Sequence, residues 1–115
     1  MSNIEVAVLE LEGDYDLARA DSLRESVSPL INRGQAMIVD LTRVSLIDSL
    51  GVGVLVNAHQ RCELRGIPFA LVVGPSPDDP VRHSLRLTGV LGSLPVFPSL
   101  EEARRLMPPP GPSEI

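Results

Sequence analysis

The chain has 115 residues, a formal net charge of −5 and a single cysteine, Cys62, enough for one domain with one core. Aromatics make up only 3% of it, so the core is aliphatic and stacking platforms for single-stranded nucleic acid are missing. The acidic balance argues against a polyanion partner. All the basic residues are arginine, which rules out chemistry that needs a lysine. A lone cysteine forms no internal disulfide.

In chain order, "IEVAVLEL" (4–11) is β-branched, partly alternating and reads as a strand, and "EGDYD" (12–16) as a turn. The opening residues have no basic and long apolar run of the kind that directs secretion. From 17 to 33, Leu23, Val27, Leu30 and Ile31 recur at helical spacing. Asp16 is a candidate N-cap and Gly34 a C′ residue, with Pro29 inside the helix. "AMIVDL" (36–41) is nearly all apolar, as a strand covered on both faces would be.

The run from Leu50 to Leu64 is ambiguous by composition, but Gly51, Leu55, Ala58 and Cys62 fall on one helical stripe and Gly66 stops it. Its apolar core, Leu50 to Val56, is far short of the roughly 20 residues that span a bilayer. "PFALVV" (68–73) is a second buried strand. Asp79 and Pro80 open a short helix, "LPVFPS" (94–99) is a last strand, and Ser99 with Glu102 forms a capping box for a helix through Leu106. Residues 108–115 are a Pro-rich tail expected to be disordered. Strands alternating with helices imply an α/β domain, with a mostly buried, mixed sheet and about four helices. Such a protein is expected to be cytoplasmic, with no membrane insertion.

The chemistry-bearing stretch is "SLIDSLGVG" (45–53). A hydrolase reading of Ser49 fails on two counts: the first glycine of a nucleophile elbow is missing, and His59 lies ten residues on, about 15 Å along a helix. His83 cannot be placed beside it. Glu12, Asp14, Asp16 and Asp40 could form an acidic pocket of the receiver type, but the lysine such a pocket needs is absent. Asp78 and Asp79 are adjacent and face apart, and no Cys/His spacing suits a metal. Gly51-x-Gly53 is too short for a dinucleotide fingerprint.

Helix capping explains one of Asp48 and Ser49 but not both, since one capping residue is enough. Gly51 and Gly53 each cost about 1 kcal/mol in a helix relative to Ala, which requires close approach, either by a partner or by packing within the domain.

"IVDLTRVSLIDSLGVGVLVNAH" (38–59) resembles the signature of STAS domains, in particular bacterial anti-anti-sigma factors. Asp40-Leu41, Ile47-Asp48-Ser49 and Gly51 fall on the family pattern in order. "LEGDYD" (11–16) resembles its first turn, with Asp14 and Tyr15 as departures and Asp16 matching. "LRLTGVLGSLPVFPSLEEA" (85–103) resembles its closing stretch. The resemblance spans residues 4–107, with 1–107 expected as the domain.

It implies an anti-sigma factor antagonist with no catalysis and no cofactor of its own. Ser49 would be the phosphoacceptor for an anti-sigma factor that is also a GHKL-type serine kinase. The unphosphorylated form would bind that partner and release a sigma factor. A phosphatase could reverse the mark. Asp16, Asp48, Ser49, Leu50, Gly51 and Gly53 would form the partner-binding surface. Helix N–H groups and the helix dipole are expected to receive the phosphate charge. The alternative within the family is a subunit that docks constitutively, in a lipid-transport ABC system or a signalling scaffold.

Overall fold

A computed structural model describes residues 5–107, the Leu17 side chain excepted. The expected tail, 108–115, lies outside these residues. The chain alternates strand and helix: β1 (Ala7–Tyr15), α1 (Leu17–Asn32), β2 (Met37–Ile47), α2 (Ser49–Arg65), β3 (Phe69–Val72), α3 (Pro80–Leu87), a short 3-10 turn (Leu91–Ser93), β4 (Val96–Phe97) and α4 (Leu100–Leu106). The strands lie in the order β1-β2-β3-β4. The α/β class and the four helices are as expected. The sheet is parallel in every pairing of the described residues rather than mixed. A helix follows each of the first three strands and returns the chain to the edge where it started, and that connection makes neighbouring strands parallel.

The helix starts follow from the residues at their caps. Asp16 Oδ1 accepts from the Ala18 N–H at 3.1 Å, Asp79 Oδ2 from Val81 and Arg82 at 3.1 and 3.0 Å, and Ser99 Oγ from Glu102 at 3.1 Å. α1 and α2 end at Gly34 and Gly66, whose φ values of 72° and 69° suit a residue without a Cβ.

Two cores result. Met37, Val39, Leu41, Phe69, Leu71 and Val73 face the layer of α1, α2 and α3. Ile38, Ala70 and Val72 face Ala103 of α4. Cover on both faces explains why β2 and β3 begin as unbroken apolar runs.

The expected turn at 12–16 is instead strand up to Tyr15, and β2 continues to Ile47, six residues past its expected end. Two register shifts make this possible: Glu10 pairs with Asp40 but Glu12 with Arg43, and Gly13 with Val44 but Asp14 with Leu46. Each shift adds one residue to β2, a bulge that bends the strand and raises its twist. The β1–β2 ribbon thereby carries residues 48 and 49 beyond the sheet.

Candidate functional site

At the carboxyl ends of β1 and β2 two helices begin side by side. The Asp48 N–H donates to the Tyr15 carbonyl at 3.2 Å, which ties the start of α2 to the start of α1. Asp48 is the N-cap: its Oδ1 accepts from Leu50 N–H at 3.0 Å and Gly51 N–H at 3.1 Å. Ser49 is the first helical residue and is exposed. Among the described residues its hydroxyl has no hydrogen-bond partner. Of the two capping-type residues, Asp48 caps and the serine hydroxyl is left over.

The same geometry alters one expectation. Of the helix N–H groups expected to receive a phosphate on Ser49, those of Leu50 and Gly51 are already committed to Asp48. The charge would have the helix dipole near it, but would project outward beside a carboxylate.

The two glycines differ. Gly51 is buried, and a Cβ there would lie 2.7 Å from Ile47 Cγ1 and 3.3 Å from the Tyr15 carbonyl oxygen. Its missing side chain lets α2 start directly against the end of β2. Around Gly53 a Cβ would meet nothing within 4 Å, and the residue is exposed.

Asp16 is exposed at the cap of α1, and Asp14, two residues earlier in β1, is exposed as well. Arg19, which the sequence did not single out, is exposed and lies along the end of β1. Its Nη1 donates to the carbonyls of Glu12 and Asp14 at 3.3 and 3.2 Å, and its Nη2 to Tyr15 Oη at 3.0 Å. Its guanidinium carbon stands 4.1 Å from the centre of the Tyr15 ring. Arg19 therefore holds the end of β1 through neutral acceptors and is ion-paired with neither Asp14 nor Asp16. Leu46 was also missed. It is 47% exposed and stands opposite Asp14 in the ladder; Leu50 is 49% exposed. The signal for Leu46 was its place in a strand that the apolar pattern ends at Leu41.

Other candidates are not drawn to this site. Asp40 Oδ1 is turned to Thr42, accepting from its N–H at 2.9 Å and its hydroxyl at 2.7 Å. His59 packs on Phe69 with ring centres 5.8 Å apart, and His83 Nδ1 lies 3.2 Å from Arg86 Nη2. Among the described residues no group of three or more His, Cys, Asp or Glu side chains converges as metal ligands would, and no helix is long and apolar enough to cross a membrane. Cys62 is fully buried, and burial pushes its thiol up to about 11, with Arg61 and Arg65 pulling the other way. Those arginines clasp α1: Arg61 bonds Ser28 Oγ at 3.3 Å and Asn32 Oδ1 at 3.2 Å, and Arg65 bonds the Ile31 carbonyl.

A sequence profile described as STAS domain matches residues 2–103. The chain belongs to the STAS domain family. The anti-sigma-F factor antagonist RsfB of Mycobacterium tuberculosis is 26% identical over 99 residues, 85% of this STAS chain and 78% of that protein. An anti-sigma factor antagonist from Mycobacterium paratuberculosis, solved by crystallography, superposes with a TM-score of 0.79 at 23% identity, covering 91% of this chain and 87% of that one; at that identity the likeness is one of fold. The Bacillus cell fate determinant SpoIIAA in its phosphorylated form gives a TM-score of 0.66 at 28% identity, covering 91% and 93%. The STAS relatives that this chain resembles in sequence and fold thus include proteins named as anti-sigma factor antagonists.

Proposed function

We propose that this STAS domain is an anti-sigma factor antagonist controlled by phosphorylation at Ser49. The unmodified form binds an anti-sigma factor that is also a serine kinase of the GHKL type, and so frees a sigma factor. Phosphorylation ends the complex, and a phosphatase restores it. Asp16, Asp48, Leu50 and Gly53 form the surface around the serine, while Gly51 shapes it from beneath. The protein acts in the cytoplasm, has no catalysis of its own, and residues 1–107 are the acting unit.

The observation that carries this reading is the spare hydroxyl. Asp48 alone caps α2, so Ser49 is open to a kinase and can be modified without loss of a structural bond. A phosphate adds about −1.5 to −2 charges, next to Asp48 and on a surface that also carries the exposed carboxylates Asp14 and Asp16. To move a binding equilibrium from 1:99 to 99:1 takes about 5.5 kcal/mol, and a dianion inside an interface is of that order.

Intact-protein mass spectrometry of the protein purified from its own cells, with fragmentation, tests the reading. The expected result is one phosphate on Ser49. No phosphate under any growth condition, or phosphate on another residue alone, overturns the switch and favours a constitutively docked subunit. With the kinase in hand, Ser49→Ala should bind it whether or not ATP is present, and Ser49→Asp should bind weakly with an unchanged melting curve.

A further inference from the structure

The large apolar side chains exposed among the described residues are Leu46, Leu50, Leu64, Leu87 and Leu106. Two of these bracket Ser49: Leu46 three positions before it, at the end of β2, and Leu50 directly after it, in the first turn of α2. Ser49 therefore has a half-exposed leucine on each side of it along the chain. Two exposed carboxylates lie nearby, Asp14 opposite Leu46 in the ladder and Asp16 following Tyr15. The Arg19 guanidinium is held on the Glu12 and Asp14 carbonyls and the Tyr15 hydroxyl and pairs with neither carboxylate. An apolar centre with a charged rim is the layout in which a few central side chains carry most of the binding energy and the rim excludes water. Gly53, exposed and with open space above it, lets the partner come close on the α2 side.

Resting on the switch reading above, we infer that Leu46 and Leu50 are the anchors of the complex, and that they enter an apolar cleft on the anti-sigma factor rimmed with arginine or lysine to meet Asp14 and Asp16. The same placement defines how phosphorylation releases the partner. A phosphate on Ser49 falls within the anchored surface, where docking would strip its water, and the Leu50 and Gly51 N–H groups are already taken by Asp48. Release is then governed by desolvation. Repulsion between exposed charges is screened by salt, whereas the loss of hydration in a closed interface is not.

The test uses the serine kinase that modifies Ser49 and measures its Kd for five forms of the full chain: unmodified, Leu46→Ser, Leu50→Ser, Leu64→Ser and phosphorylated. Leu64, at the far end of α2 and 88% exposed, is the control. Leu46→Ser and Leu50→Ser are each expected to weaken binding about tenfold or more, as loss of a buried leucine side chain implies, with the cooperative melt retained. Leu64→Ser should bind as the unmodified chain does. The ratio of Kd between phosphorylated and unmodified chains should be the same in about 0.05 M and about 0.5 M salt. Wild-type binding by both leucine variants, or an equal loss with Leu64→Ser, overturns the anchors while the switch stands. A ratio that collapses in high salt overturns the desolvation mechanism. If no kinase acts on Ser49, both readings fall together.

Discussion

At Gly51 a methyl group would sit 2.7 Å from Ile47 Cγ1 and 3.1 Å from its Cδ1, with the Tyr15 carbonyl behind it at 3.3 Å. The neighbours are a buried side chain and backbone, so Gly51→Ala is expected to cost about 1–3 kcal/mol, the usual range for overpacking. Gly53→Ala meets nothing, and should stabilise the domain by up to about 1 kcal/mol through helix propensity. Thermal melts of the two variants should therefore shift in opposite directions. The cap gives a second contrast. Asp48→Ala removes the acceptor for two N–H groups and should cost about 0.5–2 kcal/mol, while Ser49→Ala should stay within about 0.5 kcal/mol of the parent. If Ser49→Ala were the more damaging of the two, the assignment of the cap would be wrong. At this scale the sequence was informative about residue type and silent about the division of labour. It showed two glycines and two capping residues, and only the packing of α2 against β2 shows which of each pair has structural work.

Among the elements, the helices and the two central strands could be read from the sequence because their periods are regular and their caps are local. The β1–β2 ribbon could not. After the opening run Met37–Val39, its buried residues in β2 are Leu41, Val44 and Ile47, a repeat of three that belongs to neither a flat strand nor a helix. The repeat arises because each bulge inserts one exposed residue between inward-facing ones. A bulge depends on pairing with β1, which no local pattern in β2 reports. The loss mattered for the site, since Leu46 lies in the part that was missed. Within α2, Cys62 gives an element-scale test. Its folded-state value of about 11 lies above the ordinary 9.0, so the unfolded chain loses the thiol proton first. Stability from this group is whole below about pH 9 and falls as pH rises from there to about 11. Melting temperatures followed across that range should drop more for the wild type than for Cys62→Ala. At pH 8, a thiol reagent should label the native protein only as fast as α2 opens.

For the molecule as a whole, the two faces of the sheet are unequally covered. Three helices pack on one face, and the seven residues of α4 are the helical cover on the other. The key contact there is Ala103, fully buried over Ile38, Ala70 and Val72. Ala103→Asp puts an unpaired carboxylate into that contact and should detach α4 and uncover three apolar strand residues, with a large loss of stability and aggregation. Ala103→Ser should be far milder. Circular dichroism melts and light scattering on the two variants separate these outcomes. A stable, monodisperse Ala103→Asp protein would mean that α4 is not needed to close the fold. This division of cover was only half visible beforehand. The apolar runs of β2 and β3 announced two covered faces, but no local signal assigned three helices to one side.

The link between the Asp48 N–H and the Tyr15 carbonyl fixes both helix starts to one ribbon, and the Ser49 hydroxyl is no part of it. On the proposed reading, a phosphate written there breaks nothing and strains nothing, so the fold gains no leverage for expelling it. The mark is then a memory held in one ester bond. Its duration is set by the enzyme that hydrolyses that bond and not by any relaxation of the domain, and a cell could lengthen or shorten its response by changing the amount of one phosphatase.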